Sequence, residues 1–311
     1  IAGGRPDLTF TVADAGDRAW VLRRPPLGEQ PATAHDVLRE ARILAALGPT
    51  AVPVPAILTR CEDPGVTGAP FFVMERVEGL VCRGAVTAER QLDPDARGRA
   101  GEALATTLAD LHAVDPAAVG LADLGRGEGY VARQLRRWHA QWEQIRPRRL
   151  SDISTAHDLL AARVPTQERT AIVHGDFRLD NCLLDPYGCV RAVLDWEICT
   201  LGDPRADLGV LLAYWAEAGD PVTALEAPPS LAPGLPSRAA LRTRYEASAG
   251  PAGEVEFFVA FAWWKLACIV EGVHARTRRG EMGSVERSAE SFAAQAERLA
   301  VHARALAESL P

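Results

Sequence analysis

Lysine is almost absent from this sequence. The 311-residue chain contains 34 lysine and arginine residues together, and only Lys265 is a lysine. Arginine stays protonated at physiological pH and binds phosphate or carboxylate groups through paired hydrogen bonds. A mechanism that needs a lysine before residue 265 is therefore excluded, and an arginine must supply any permanent cation required there.

Paired cysteines are also lacking. The six cysteines form no C-x-x-C pair, and several of them lie inside apolar runs, at positions 61, 82, 182, 189, 199 and 268. This distribution is typical of small buried thiols in a reducing compartment. It argues against a disulfide framework and against a zinc site.

Long apolar runs and a signal-peptide pattern are missing as well. No run approaches the length of about 20 residues that a membrane-spanning helix needs. The net charge of −7 argues against nucleic acid as the main partner. We therefore expect a cytoplasmic protein with neither a membrane nor a nucleic-acid partner, and 311 residues suffice for one large domain or two lobes.

The sequence between Ile172 and Gly209 contains a hairpin pattern. Two hydrophobic runs, at 182–184 and 190–194, flank a turn at Asp185-Pro-Tyr-Gly188. Apolar runs separated by Asp, Pro and Gly are typical of paired strands with a tight connection. We predict a β-hairpin here.

Three polar residues surround this predicted hairpin. Asn181 comes directly before the first strand, Asp195 ends the second, and Asp176 lies one short loop earlier. They are therefore expected at one end of a rigid element. Phosphoryl transfer needs a carboxylate that orients the attacking hydroxyl, and hard oxygen ligands that hold Mg²⁺ against nucleotide phosphates. The three residues suit that chemistry, although any one of them alone could simply cap a turn.

The spacing of these residues also carries a family resemblance. His174-Gly-Asp176, followed five residues later by Asn181, is a variant of the protein-kinase catalytic loop, and Asp195-Trp-Glu197 takes the place of its metal-binding Asp-Phe-Gly. In these residues the chain resembles the aminoglycoside phosphotransferase and choline kinase family. It looks closest to a broad group of bacterial phosphotransferases similar to the kinase-like domain fused to some acyl-CoA dehydrogenases.

The resemblance implies an α+β, bilobal, protein-kinase-like fold. Residues 1–78 would form a small antiparallel-sheet lobe, and residues 79–311 a mostly helical lobe with the catalytic loop and the substrate pocket. The cofactors would be ATP and Mg²⁺, and the acceptor a hydroxyl group of a small molecule. Asp176 would be the catalytic base or orienting group, and Asn181 and Asp195 the metal ligands. His174 would support the loop without transferring a proton, and Asp207 would brace it.

In kinases, a strand lysine contacts the nucleotide phosphates and pairs with a helix glutamate. Here the corresponding strand ends in Arg23 and Arg24, of which Arg23 aligns better. The resemblance therefore implies that Arg23 fills the lysine's role and that Glu40 is its partner. Arginine keeps the charge but is larger and forks differently.

The remaining nucleotide contacts are also implied by the resemblance. Gly3 and Gly4 would lie near the phosphates, where glycine allows close approach of the backbone; a flexible terminus is an equal alternative. Met74 would lie behind the adenine, and the backbones of Glu75 and Val77 would hydrogen-bond to it. The family's first strand precedes this point and could fall before Ile1.

Hydrophobic periodicity and the positions of glycine and proline predict the other helices and strands. Strands are expected at 8–12, 19–22 and 71–77, and helices at 33–47, 95–113, 130–145, 155–162, 203–215, 237–249, 254–279 and 284–310. The run after residue 145 is expected to be a solvated helix end. Lys265, Glu271 and His274 are candidates for the pocket wall, although placement in the core or at the surface is the expected fate of each.

The sequence allows more than one interpretation of which molecule accepts the phosphoryl group and of whether the protein is a kinase. The family phosphorylates antibiotics, choline, sugars and hydroxyacyl compounds, and the late helices show no marked acidic cluster of the kind that polyamines need. That disfavours an aminoglycoside and leaves a hydroxyacyl acceptor open. A non-catalytic nucleotide-binding scaffold is a rival, supported only by the missing strand lysine. A second rival transfers adenylate to a protein, which requires a reversed nucleotide.

Overall fold

The structure is a computed structural model that describes residues 8–26, 36–145, 148–281 and 287–311. Within these ranges the strands are β1 (Leu8–Ala13), β2 (Ala19–Arg24), β3 (Ile57–Cys61), β4 (Phe71–Glu75), β5 (Ala171–Val173), β6 (Cys182–Leu184), β7 (Val190–Val193) and β8 (Thr200–Gly202). The α-helices are α1 (Val37–Leu47), α2 (Pro64–Thr67), α3 (Ala85–Gln91), α4 (Pro94–Ala113), α5 (Tyr130–Ile145), α6 (Ser151–Ala161), α7 (Arg205–Tyr214), α8 (Arg238–Ala249), α9 (Val255–Arg278) and α10 (Ala289–Glu308).

The first lobe is an antiparallel sheet with one long helix. The strand order is β1-β2-β4-β3. Because side chains alternate along a strand, Phe72 and Met74 share one face, and both are buried at 0% and 8% exposure. The α1 helix contacts β3 and β4. The sheet and α1 together form the wall from which Arg23 and Glu40 project.

The α1 helix begins one residue after Asp36. The Asp36 side chain accepts a hydrogen bond from the Arg39 amide at 2.9 Å, which caps the helix. The predicted start at residue 33 falls on residues outside the described ranges. Four apolar residues at helical spacing are buried, as the periodicity indicated: Val37, Ala41, Leu44 and Leu47.

The chain then crosses to the helical lobe beside the predicted hairpin. Leu80 pairs with Leu184 through two backbone hydrogen bonds of 2.7 and 2.9 Å. Strands β6 and β7 form the hairpin, and the Asp185 side chain accepts from the amides of its turn, Tyr187 and Cys189, at 2.9 Å. The Val193 amide donates to the Pro53 carbonyl at 2.8 Å, so the hairpin also contacts the first lobe.

The α9 helix forms the centre of the second lobe. It packs against α7 and α10, and Gly209 of α7 lies so close to Phe258 that an added Cβ would come within 2.5 Å of its backbone. By length and composition α9 could cross a membrane, but 78% of its most apolar window is buried in this lobe. This is the pattern of a core helix.

Several elements differ from the sequence-based prediction. The helices α2 and α3 and the short β5–β8 pairing were not predicted, and α6 begins at Ser151 instead of residue 155. The β5–β8 pair joins strands of three residues each, which are too short for a periodicity signal. The division of the lobes at residue 78 stays a prediction.

Candidate active site

Asp207, in the first turn of α7, holds the segment that contains the catalytic motif. Its carboxylate is fully buried and accepts from the His174 amide at 2.6 Å and from the Gly175 amide at 2.7 Å. Burial alone would raise the pKa of Asp207, but hydrogen bonding and charge from His112 and the amide donors outweigh it, so the pKa is lowered. Asp207 therefore braces the loop as an ionised acceptor, as predicted.

Gly175 allows the turn that follows. Its φ is +88°, and an added Cβ would lie 3.0 Å from the Ile198 side chain. Both the backbone conformation and the contact require glycine. The turn leads directly into Asp176.

His174 supports the loop with both ring nitrogens. Nε2 lies 2.9 Å from the Leu194 carbonyl, so it carries the proton and donates, while Nδ1 accepts from the Asp176 amide at 3.3 Å. The ring packs edge-on against Phe177 and Trp196. With both nitrogens occupied, His174 has the supporting role that the sequence predicted.

Asp176 and Asn181 are joined directly. The Asn181 Nδ2 group donates to the Asp176 carboxylate at 2.9 Å and to the Asp176 carbonyl at 2.8 Å. These two acceptors assign the nitrogen and thereby the position of the Asn181 Oδ1 atom. Since Nδ2 faces Asp176, the amide oxygen is the atom left for a ligand.

Asp195 lies beside Asn181 in a strained conformation. The Leu194 amide donates to the Asn181 carbonyl at 2.9 Å, which brings the two residues together. Asp195 has a φ of +67°, a conformation that costs energy for residues other than glycine and is enriched at functional sites. Its side chain is 38% exposed, whereas the neighbouring loop residues are largely buried.

Arg23 contacts its predicted partner. Its Nε lies 3.0 Å from the Glu40 carboxylate, which is 3% exposed, and its Nη2 lies 3.2 Å from Asp195 and 3.8 Å from Glu197. Three carboxylates thus lie within 4 Å of one guanidinium. Arg24 instead donates to the Pro25 carbonyl, which supports the choice of Arg23.

These residues line a cavity of about 450 Å³ between the two lobes. All the predicted nucleotide and metal residues within the described ranges lie on its wall: Arg23, Glu40, Met74, Glu75, Val77, Asn181 and Asp195. Gly3 and Gly4 lie outside the described residues. Asp176 is not part of the wall; it lies directly behind Asn181.

The Glu75 backbone is only half available to a ligand. Its amide donates to the Ala56 carbonyl at 2.8 Å. A contact between Glu75 and adenine would therefore use the carbonyl oxygen and not the amide. The predicted contacts of Met74, Glu75 and Val77 with adenine stay predictions.

Arg178 joins the two acidic residues of the loop. Its Nε lies 3.1 Å from the Asp176 carboxylate, and its Nη1 donates to Asp180. Its guanidinium also lies 5.1 Å from the centre of the Tyr214 ring. Burial lowers the pKa of Arg178, but the charges of the two aspartates outweigh it and raise the pKa. Arg178 was not among the predicted site residues; the Asp-x-Arg-x-Asp alternation was the available signal.

Lys265, the only lysine, lies behind the catalytic loop. Its Nζ donates to the Gly175 carbonyl at 3.1 Å and lies 5.6 Å from the centre of the Trp138 ring. Burial lowers the pKa of Lys265, and the nearby Asp176 and Asp207 offset this only partly. Lys265 was a candidate for the pocket wall, but it is not among the residues that line the cavity, and its contact with the loop was not predicted.

Glu271 and His274 do not line the cavity. Glu271 is fully buried and accepts two hydrogen bonds of 3.1 Å from Arg148, and His274 lies 3.3 Å from the same carboxylate. Their placement in the core is the expected alternative. The prediction of a solvated helix end is wrong for Arg148, because this side chain pairs with a buried acid.

The chain matches one protein family over most of its length. The sequence model of the phosphotransferase enzyme family matches residues 1–248. Acyl-CoA dehydrogenase family member 10 of Mus musculus is 34% identical over 286 residues, which are 90% of this chain and 26% of that protein. Acyl-CoA dehydrogenase family member 11 of Homo sapiens is 32% identical over 288 residues, 90% of this chain and 36% of that protein. The chain thus spans about a third or less of these relatives.

Solved structures share the fold. A protein from Ralstonia eutropha JMP134, provisionally described as an aminoglycoside phosphotransferase, has a TM-score of 0.82 at 29% identity over 99% of this chain and 94% of its own. A mutant of aminoglycoside phosphotransferase APH(4)-Ia in complex with ADP and hygromycin B has a TM-score of 0.62 at 15% identity over 98% and 92%. The predicted α+β, bilobal, protein-kinase-like fold and the predicted resemblance are confirmed.

Proposed function

Because this chain belongs to the phosphotransferase enzyme family, we propose that it transfers the γ-phosphoryl group of ATP to a hydroxyl group of a small molecule. The nucleotide occupies the cavity between the lobes. The acceptor approaches from the side of Asp176, behind Asn181. The whole-protein activities of the longer relatives are not part of this proposal.

One observation carries the proposal most directly. Asn181 holds Asp176 through its nitrogen, and Asn181 and Asp195 both lie on the wall of the cavity. A group that orients a hydroxyl and two hard oxygen ligands therefore meet at one point, next to a space large enough for a nucleotide. Phosphoryl transfer depends on such positioning more than on covalent chemistry by the protein.

The residues present also fit a Mg²⁺ ion. Carboxylate and amide oxygens are suitable ligands for a hard divalent cation. Three carboxylates lie within 4 Å of the Arg23 guanidinium, and their residues, Asp195 and Glu197 among them, also line the cavity. Asn181 and Asp195 would hold the ion, which when bound neutralises charge on the nucleotide phosphates.

Within this proposal each residue has a defined role. Asp176 accepts a hydrogen bond from the acceptor hydroxyl and orients it toward the phosphoryl group. Asp207 and His174 keep the Asp176 backbone in place, and Arg23, fixed by Glu40, contacts the phosphates. The ion pair of Arg23 and Glu40 counts against the scaffold alternative, because the missing lysine was its only support.

Two cations beside Asp176 affect which kind of acceptor can bind. Arg178 forms an ion pair with the Asp176 carboxylate, and Lys265 donates to the preceding residue. These contacts offset the negative charge that a polycationic antibiotic would need. We therefore favour a hydroxyacyl compound over an aminoglycoside.

The proposal is tested by calorimetric binding of ATP with and without Mg²⁺. The matched variant is Asp195→Asn, because Asn tolerates a positive φ whereas Ala does not. We expect Mg²⁺-dependent binding by the wild type and a loss of roughly tenfold or more in the variant, since one ionised ligand is removed. A folded wild type that binds no nucleotide would overturn the proposal.

Transfer is then measured on a panel of hydroxyacyl-CoA thioesters and aminoglycosides. The mass of the product distinguishes phosphate from adenylate. Phosphorylation of a hydroxyacyl compound with a higher kcat/KM than any aminoglycoside supports the preferred acceptor. The reverse order would contradict it, and a mass gain of adenylate on a protein would favour the second rival.

A further inference from the structure

The α1 helix faces the cavity on one side and contacts the helical lobe on another. Glu40 and Leu44 face the cavity, whereas Arg39 and Arg42 reach across to the helical lobe. Residues three apart on a helix share a side, so the two arginines form one row. This row, Arg39 and Arg42, is called the α1 clasp below.

The two arginines of the α1 clasp bind different segments. Arg42 forms an ion pair with Asp123 and donates to the Gly120 carbonyl at 2.6 Å, and both partners lie in the connection between α4 and α5. Arg39 donates through one Nη2 group to two main-chain carbonyls, that of Leu124 at 3.2 Å and that of Cys199. Only Arg39 therefore touches the segment that follows Asp195.

The Cys199 carbonyl belongs to a turn that connects Asp195 with the strand next to the catalytic loop. The Cys199 amide donates to the Trp196 carbonyl at 3.1 Å, which closes a tight turn directly after Asp195. The next residue, Thr200, pairs in β8 with Val173, the last residue before His174. One acceptor of Arg39 thus lies between the predicted metal ligand and the catalytic loop.

The second acceptor belongs to a segment that packs on the same turn. An added Cβ on Gly125 would lie 2.4 Å from the Thr200 hydroxyl. Gly125, next to Leu124, is therefore in close contact with the side chain of Thr200, next to Cys199. Arg39 bridges these two segments at their junction.

We propose that Arg39 is a positioning residue for phosphoryl transfer: by binding these two carbonyls, it fixes α1 and its Glu40 to the turn that carries Asp195. The inference rests on the proposed function and adds a residue to it. Glu40 fixes the position of Arg23, and the turn fixes the position of Asp195. Arg39 therefore connects the group that contacts phosphate to the group that holds Mg²⁺. Arg42 attaches the same helix without touching that turn.

The test compares Arg39→Met with Arg42→Met. Both substitutions keep the aliphatic stem and remove the guanidinium. We expect Arg39→Met to weaken Mg²⁺-dependent binding of the non-hydrolysable analogue AMP-PNP roughly tenfold, the scale of one or two hydrogen bonds to a charged donor. Arg42→Met should stay within about twofold of the wild type, because its exposed ion pair contributes little.

Amide hydrogen exchange of the ligand-free protein supplies a readout that needs no nucleotide. Exchange of residues 196–200 should rise in Arg39→Met and stay at the wild-type level in Arg42→Met. Arg39→Lys should recover part of the binding, since a single ammonium can reach one of the carbonyls. A general loss of stability would not produce this difference between the two variants.

The outcomes separate the two proposals. Equal loss of AMP-PNP binding in both methionine variants, or unchanged exchange at 196–200 in Arg39→Met, would overturn the role of Arg39. A wild type that fails to bind AMP-PNP would overturn the proposed function, while the exchange measurement would still decide whether Arg39 holds the turn. If Arg39→Met does not fold, Arg39→Lys carries the same comparison.

Discussion

The Arg23–Glu40 pair and the Arg148–Glu271 pair use the same side chains at almost the same distance. Arg23 Nε lies 3.0 Å from Glu40, and Arg148 Nε lies 3.1 Å from Glu271. Both glutamates are buried, with exposures of 3% and 0%. Neither distance nor burial distinguishes the pair at the cavity from the pair in the core.

The neighbours of each pair do distinguish them. Arg148 forms two hydrogen bonds with the Glu271 carboxylate and donates to the Ala293 carbonyl. It also pairs with Glu297 of α10, so its donors are directed at groups of the fold. Arg23 instead faces two further carboxylates, Asp195 and Glu197, on the wall of the cavity. The position of these carboxylates on the wall of a cavity, and not the ion pair itself, indicates a ligand site.

Glu271→Ala should cause a large loss of stability without a loss of nucleotide binding. It leaves the guanidinium of Arg148 without its main partner in a largely buried position. Loss of one partner of a buried pair costs about 3–5 kcal/mol, and we expect about 2–3 kcal/mol here because the Arg148 side chain is 26% exposed. Urea unfolding of the variant and the wild type measures the difference.

The control for this variant is nucleotide binding. A folded Glu271→Ala protein should bind Mg²⁺ and ATP within about twofold of the wild type, because a core pair that faces no ligand changes no binding step. A tenfold loss of affinity in a protein that remains folded would contradict the distinction between the two pairs.

Arg23→Met should differ from Glu271→Ala in activity. We expect kcat/KM for phosphoryl transfer to fall about 100-fold, equivalent to about 2.7 kcal/mol, because a cation next to the phosphates is lost. Stability should fall as well, because the buried Glu40 carboxylate loses its cation. Arg24→Met is the matched control, since its guanidinium contacts the Pro25 carbonyl instead of the acidic residues; equal losses in both variants would mean that Arg23 has no special role.

Arg23→Lys and Arg148→Lys sharpen the comparison at a smaller scale. Lysine keeps the charge but provides no fork for two parallel hydrogen bonds. At position 23, where one contact to Glu40 is made, we expect a loss of kcat/KM of roughly tenfold or less. At position 148, where two parallel bonds are lost, we expect a decrease of about 1 kcal/mol in the free energy of unfolding. Steady-state kinetics and urea unfolding give the two values.

The predictable part of this site is the part that is close in sequence. Asp176, Asn181 and Asp195 lie within 20 residues of one another, and a hairpin between them fixes their separation. Their convergence therefore followed from spacing and turn residues alone. The pairing of Arg23 with Glu40 required the family resemblance, because a sheet and a helix must first come together.

The unpredicted part depends on contacts between distant segments. Arg148 was predicted to be solvated because its partner, Glu271, is 123 residues away. Lys265 lies 90 residues from Gly175, and nothing near it in sequence indicates that contact. Local patterns specify which elements form, whereas the packing of α9 decides which of its polar residues meet the loop and which meet the core.

The α9 helix contributes one residue to the core pair and another to the surroundings of the catalytic loop. The second residue allows the test with the smallest expected effect. Glu271 faces Arg148, and Lys265 faces the catalytic loop, where burial lowers its pKa. In the unfolded chain Lys265 keeps its proton up to a pH of about 10.4. Between the lowered folded pKa and that value, the unfolded state binds more protons, so stability rises with pH.

Lys265→Met should expose this contribution as the smallest of the effects. The variant lacks the titrating amine, so the difference in the free energy of unfolding, wild type minus variant, should increase as the pH is raised from 8 toward 10. The charged form is disfavoured by burial, and its neutralisation relieves the folded wild type. A difference that stays constant over this range would show that the environment of the loop does not act on the Lys265 proton. The ammonium would then be balanced by Asp176 and Asp207, and the region around the catalytic loop would be as fully compensated as the core pair.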